Sequence, residues 1–333
     1  MHRFIRAAAL VAALALGACG DDDAEQGASA AAGSGTFPVT IEHKYGTTEI
    51  PAEPERVVTV GYTEQDVVLA LGIKPVGERE FLGGYAYKER PWAQEALGGT
   101  QPESVGGEEI SYERVAALRP DVIIGVNSGM TDADYNRLSD IAPTVAQSDE
   151  FIDFGVPWQE QTLVIGRALG REDQAQALVD DVEAQFAQAR EEHPELATSF
   201  IMAYGGAGEF GAHASGDYRV GFFSDLGLET PRRIDELAGE GFFIDLDEEQ
   251  FRLLDQDVVV MFGERDEVEQ DPVLGRLPAF REGRVVYLDL TDQFAGALGF
   301  ASPLSLPYLL DEAVPKLAAA ADGDPSTTEP DPE

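Results

Sequence analysis

The stretch WQEQTLVIGRALGREDQAQALVDDVEAQFAQAREE, Trp158–Glu192, decides how the chain is read. It holds no proline and two glycines, Gly166 and Gly170, and it keeps helical periodicity through Leu163, Leu169, Leu178, Val182 and Phe186. Unbroken, such a helix would run about 50 Å, with Gly170 the place for a bend. His193-Pro194 closes it. So long a helix in mid-chain predicts a rigid strut between two domains. An ordinary packed helix within one domain is the other reading of the same pattern.

On the N-terminal side the spacing predicts an α/β lobe. Val39–Tyr45, Gly46-Thr47 and Thr48–Ile50 read as an opening hairpin, and Arg56-Val57-Val58-Thr59-Val60-Gly61 as a buried strand. A helix over Glu64–Leu71 stops at Gly72, and a short strand starts at Pro75-Val76-Gly77. The unit repeats as helix Tyr112–Leu118, strand Asp121–Val126, helix Tyr135–Ile141 and strand Pro143–Ala146. Beyond the strut come strand Phe200–Tyr204, a helix from Phe222 to Leu226, helical Glu248–Leu254, strands Asp257–Phe262 and Arg284–Leu290, and a closing amphipathic helix Leu304–Ala320. The fold class expected is therefore α/β: two lobes with mostly parallel sheets, one connecting helix, and a ligand cleft between the lobes.

The ends read differently. Basic residues His2, Arg3 and Arg6, an apolar run from Ala7 to Ala18, and small residues before Cys19 make a secretory signal too short to span a bilayer. Leu16-Gly17-Ala18-Cys19 resembles a bacterial lipobox, which implies that the Cys19 thiol carries diacylglycerol. The expected organisation is a signal over 1–19, a flexible linker over 20–36, an N-terminal lobe over 37–156, the connecting helix over 157–194, a C-terminal lobe over 195–321 and an acidic disordered tail over 322–333. The 62 acidic and 23 basic residues give a formal charge of -39, which disfavours nucleic acid and anionic lipid surfaces as partners.

Catalytic signals are sparse. Gly206-Ala207-Gly208-Glu209-Phe210-Gly211 fits G-x-G-x-x-G, but the next residues, Ala212 to Asp217, read as a turn or hairpin rather than the helix that a dinucleotide site needs. There is no G-x-S-x-G elbow, and His2, His43, His193 and His213 are too dispersed for a metal cluster. Neither a catalytic residue nor a resident cofactor is expected. Aromatic residues and arginines do gather in loops beyond strand ends: Arg79, Phe81, Tyr85, Tyr87 and Trp92 in the first lobe, and Tyr204, Phe210, Tyr218 and Arg219 in the second, with Trp158 at the start of the strut. An arginine in an aromatic cleft can give charge-assisted hydrogen bonds to an anionic oxygen. Arg79, Tyr85, Trp92, Trp158, Tyr204 and Arg219 are the candidate ligand-binding residues.

The order of several segments resembles one family. Pro54–Gly61, Leu69–Gly77, Ile110–Val115 with Leu118–Ile124, Ile141–Val145 and Leu306–Leu310 look like the corresponding stretches of iron-siderophore substrate-binding lipoproteins of ABC importers. The resemblance implies two α/β lobes bridged by one long helix, with limited hinge motion. It implies capture of a ferric siderophore, here a hydroxamate rather than a catecholate on charge grounds, and delivery to an ABC permease. It also implies that one glutamate per lobe, Glu113 and Glu249, pairs with permease arginines. The protein would act as a monomer on the outer face of the cytoplasmic membrane, held by lipid alone. Haem and cobalamin remain alternatives on the same scaffold. From another class, so does a lipid-anchored hydrolase using Ser215, His213 and an aspartate.

Overall fold

Val57–Thr59 and Val122–Gly125 are buried at every position, as strands covered on both faces must be. The computed structural model describes residues 35–81, 85, 87–206 and 208–324. The signal, Cys19, most of the linker and the tail beyond Asp324 lie outside the described residues.

An antiparallel hairpin, β1 (Val39–His43) and β2 (Gly46–Ile50), opens the chain. Its turn is Lys44-Tyr45, because His43 pairs with Gly46, so the expected turn at Gly46-Thr47 is two residues late. Five parallel strands come next: β3 (Val57–Thr59), β4 (Gly77–Glu78), β5 (Glu103–Ser104), β6 (Val122–Gly125) and β7 (Thr144–Ala146), in the order β5-β4-β3-β6-β7. Helix α1 (Glu64–Ala70) leaves β3 and ends where Gly72 takes φ +78°, a conformation L side chains rarely adopt. Helix α2 (Tyr112–Ala117) precedes β6.

The connecting helix is two helices, α3 (Trp158–Ala168) and α4 (Glu172–Glu192). Gly170 sits between them at φ +68°, so the bend expected there is a full break. Gly166 lies so close to Ala175 that a Cβ on it would come within 2.2 Å of the alanine Cβ, and this small pair lets α3 and α4 pack tightly. Val164, Ile165 and Ala168 of α3 and Leu169, which caps it, join the first lobe's core, as does Ala175 of α4. Val179, Val182 and Phe186 join the second lobe's core. Both helices therefore reach both cores, α3 through Trp158 in the second and α4 through Ala175 in the first. At the break, the Gly35 N–H donates to the Gly170 carbonyl at 3.1 Å.

The second sheet has the order β10-β9-β8-β11-β12, from β8 (Phe200–Gly206), β9 (Glu209–His213), β10 (Phe243–Asp245), β11 (Val258–Phe262) and β12 (Val285–Leu288). Strands β8, β11 and β12 are parallel, and β9 runs antiparallel to both β8 and β10. The G-x-G-x-x-G match is the turn of the β8–β9 hairpin, with Gly206 paired to Glu209, so no helix N-terminus is there to receive a pyrophosphate. Helices α5 (Tyr218–Asp225), α6 (Gln293–Phe300) and α7 (Ser305–Ala321) belong to this lobe.

A second junction joins the lobes. Arg90 Nε donates to Asp66 at 2.7 Å, with Glu78 at 3.5 Å from its NH2, and all three side chains are buried. Trp92 Nε1 donates to the other Asp66 oxygen at 2.7 Å, and Ser302 reaches the same oxygen from the second lobe at 3.4 Å. Phe81 stacks on Phe300 at 4.6 Å and Tyr85 on Trp92 at 6.0 Å. Among the described residues, no helix is long and apolar enough to cross a membrane.

Candidate functional site

In α/β sheets the loops beyond the carboxyl ends of parallel strands border the crevice where ligands bind. Here both sheets turn those ends toward one cavity of about 330 Å³. Tyr62 after β3, Phe81 after β4, Asn127 after β6 and Phe154 after β7 line it from the first lobe. From the second come Asp217, Tyr218 and Arg219 at the start of α5, Phe242 before β10, Phe262 at the end of β11, Leu290 after β12, and the small residues Ala295, Gly296 and Gly299 of α6.

The first-lobe wall is braced from behind. Arg79 donates to four carbonyls: Gly107 at 2.7 Å, Val60 and Ser128 at 3.2 Å, and Glu108 at 2.5 Å. Its guanidinium lies 4.1 Å from the Tyr62 ring centre, so it supports the aromatic wall from the protein side. Asn127 donates its backbone N–H to buried Glu64 at 2.5 Å and its side-chain N–H to Thr63 at 2.9 Å. Burial raises the pKa of Glu64, and the backbone N–H bonds it accepts oppose that. Phe154 takes φ +63°, a strained position that lays its ring over Gly129, where a Cβ would meet it at 2.3 Å.

The second-lobe wall carries charge. Asp217 caps α5 by accepting the Arg219 N–H at 2.9 Å, and its two oxygens also hold Arg219 Nε at 2.9 Å and NH2 at 2.6 Å. His213 Nδ1 stands 2.9 Å from the same carboxylate. Burial opposes the Asp217 charge, but His213 and Arg219 outweigh it and hold its pKa well below the usual carboxylate range. Burial lowers the pKa of His213, and its hydrogen bond to Asp217 opposes that. The Tyr218 hydroxyl donates to the Gly299 carbonyl at 2.7 Å, and burial pushes its pKa up to about 12.

Of the six candidate ligand residues, the structure places Arg219 on the cavity lining. Arg79 stands behind Tyr62 with its donors engaged. Tyr85 and Trp92 belong to the lobe junction. Trp158 is buried in the second core with its indole N–H on Asp225 at 3.2 Å, and Tyr204 donates to Asp245 at 2.7 Å. Each found a partner far away in sequence. Of the lining residues that the selection passed over, Tyr62, Asn127 and Phe262 sit at the carboxyl ends of parallel strands, where the carboxyl-end rule would have found them, whereas Phe154 lies farther along the loop after β7 and Phe242 just before β10. Glu113 and Glu249 are exposed, at the first turns of α2 and of the 3-10 helix Glu248–Leu254. The hydrolase arrangement is absent: Ser215 gives its hydroxyl to Asp235 at 3.0 Å, while His213 pairs with Asp217.

A family profile described as periplasmic binding protein matches residues 57–290, which takes in the first-lobe wall and the second-lobe wall as far as Leu290. The chain belongs to the periplasmic binding protein family. As such it is a solute-binding protein and not an enzyme. Among curated relatives of this periplasmic binding protein, a probable siderophore-binding lipoprotein of Bacillus subtilis, YfiY, is 30% identical over 52% of this chain and 50% of its own length. The chain thus spans half of that relative. The ferric-anguibactin-binding protein FatB of Vibrio anguillarum is 25% identical over 83% of this chain and 87% of its own. Among solved structures, PiaA of Streptococcus pneumoniae in complex with ferrichrome is 28% identical, covers 86% of this chain and 99% of its own, and superposes with a TM-score of 0.76.

Proposed function

We propose that the protein captures a ferric siderophore, of hydroxamate type, in the cleft and delivers it to an ABC import permease while tethered to the membrane through lipid on Cys19. The observation that carries this reading is the composition of the cavity: six aromatic side chains around one arginine. Aromatic walls bury the organic shell of a chelate. The arginine supplies charge-assisted hydrogen bonds to its oxygens. Iron enters as part of the cargo, so the protein need not supply ligands to it. The relatives named above for siderophores, and the ferrichrome complex of a protein with the same fold, support the assignment. Glu113 and Glu249, exposed on separate lobes, are the residues proposed to meet permease arginines.

Fluorescence titration tests the reading, since the chain has two tryptophans and ferric chelates quench tryptophan by energy transfer. Saturable quenching is expected with ferrichrome, and weaker quenching with a ferric catecholate. A Soret shift with haem, or saturation by cobalamin alone, would replace the ligand class. Silence with all four would overturn the proposal.

A further inference from the structure

Asp217 and Arg219 are the two charged side chains among the described residues that line the cavity, and they are bonded to each other. The pairing is built into the start of α5, because the residue that caps the helix also grips the guanidinium two positions on. Arg219 Nε and NH2 point to Asp217, and NH2 also stands 3.2 Å from His213 Nδ1. NH1 makes no hydrogen bond among the described residues. The Arg219 side chain is 25% exposed and that of Asp217 only 3%. The wall therefore offers a ligand hydrogen-bond donors while its net charge is zero. An anionic chelate would gain no Coulomb attraction there, and the formal charge of -39 on the chain would repel it.

From this geometry we infer that Asp217 is the specificity-determining residue of the cleft: by neutralising Arg219 it selects electroneutral ferric chelates over anionic ones. The inference rests on the ferric-siderophore reading above. It adds something that reading does not contain, namely that the carboxylate bonded to Arg219 sets which chelates are accepted. In a ferric trihydroxamate, three singly charged hydroxamates balance Fe³⁺, and the complex meets this wall without a charge penalty. In a ferric citrate complex the surplus carboxylates leave a net negative charge.

The test compares Asp217→Asn, Asp217→Asn with Arg219→Gln, and the unsubstituted protein, titrated with ferrichrome as the neutral probe and ferric dicitrate as the anion. Asparagine keeps an oxygen able to cap α5, so the helix start is preserved. Should Asp217→Asn fail to give a cooperative melt, Asp217→Ser, also a capping residue, replaces it. The unsubstituted protein is expected to favour ferrichrome. Asp217→Asn should lower the ferrichrome-to-dicitrate affinity ratio at least ~10-fold at low ionic strength, and the change should shrink in about 0.5 M salt as screening shortens the field. The double variant, with both charges gone, should return the ratio to near its starting value, although a glutamine in place of Arg219 binds both chelates more weakly. Equal weakening of both chelates by Asp217→Asn, or a ratio that the second substitution fails to restore, would show that Asp217 is only a cap and overturn the inference alone. Silence of the unsubstituted protein toward both chelates would overturn the siderophore reading together with it.

Discussion

Two guanidinium clusters of similar chemistry occupy opposite situations in this protein. At the lobe junction Arg90 is 1% exposed and is shared by Asp66 and Glu78, themselves buried. At the cleft Arg219 is 25% exposed and, among the described carboxylates, is held by Asp217 alone. The junction cluster has two acids for one base and no solvent to share the excess. The cleft cluster is balanced and keeps one guanidinium nitrogen without a protein partner among the described residues. Burial, rather than residue type, decides which arginine holds the lobes together and which can greet a ligand.

The comparison breaks most readily at Arg90. Replacing it with methionine keeps much of the volume but strands two buried carboxylates, and removing one member of such a buried set costs about 3–5 kcal/mol. Urea denaturation should show a loss of that order, with Arg219→Gln costing less because His213 and the backbone N–H at the start of α5 still hold the buried Asp217 carboxylate. Equal losses at the two sites would erase the distinction. A smaller effect is expected at Gly296, which lines the cavity on one side and touches Tyr85 of the junction on the other. A Cβ there would stand 2.4 Å from the Tyr85 ring, so Gly296→Ala should force the ring aside and destabilise by about 1–3 kcal/mol. An unchanged melting temperature would mean that the junction yields without strain.

The smallest effect concerns pH, where the clusters should act with opposite sign. Burial raises the Glu78 pKa in the folded state, with Arg90 opposing it. The folded protein then holds the Glu78 proton more tightly than the unfolded chain does. That contribution is fully present below the ordinary value of 4.5 and is lost as pH rises through the raised one. Asp217 is depressed instead, so its contribution is present above the ordinary value of 3.8 and is lost as pH falls below it. Stability measured against pH should therefore gain relative to the unsubstituted protein in Glu78→Gln above about pH 4.5, and Asp217→Asn should close its deficit only below about pH 4. Parallel curves for the two variants would contradict the contrast.

Much of the architecture was legible because its signals are local. Apolar runs such as Val57–Val60 and Val258–Phe262 became buried strands, and Gly72 stopped its helix by backbone conformation alone. The strut was legible in outline but not in its break: Gly170 shows a possible bend, whereas the close packing of Gly166 on Ala175 depends on the fold. Of the candidate residues, Arg219 lines the cavity, and its loop lies just beyond a strand. Trp92 and Trp158 misled for a physical reason. An indole N–H is as well satisfied by a buried Asp66 or Asp225 as by a ligand, and partners 26 and 67 residues away leave no local trace. Asp217 went unnoticed beside Arg219 because a helix-capping aspartate in so acidic a chain looks ordinary.

One consequence of the strut remains mechanical. Helix α4 has Ala175 embedded in one core and Val179, Val182 and Phe186 in the other, with unbroken helix between them. A rod clamped at both ends cannot swivel; parting the lobes must flex it, and its backbone hydrogen bonds resist. The link therefore behaves as a leaf spring, with a rest length and a restoring force that oppose separation of the lobes.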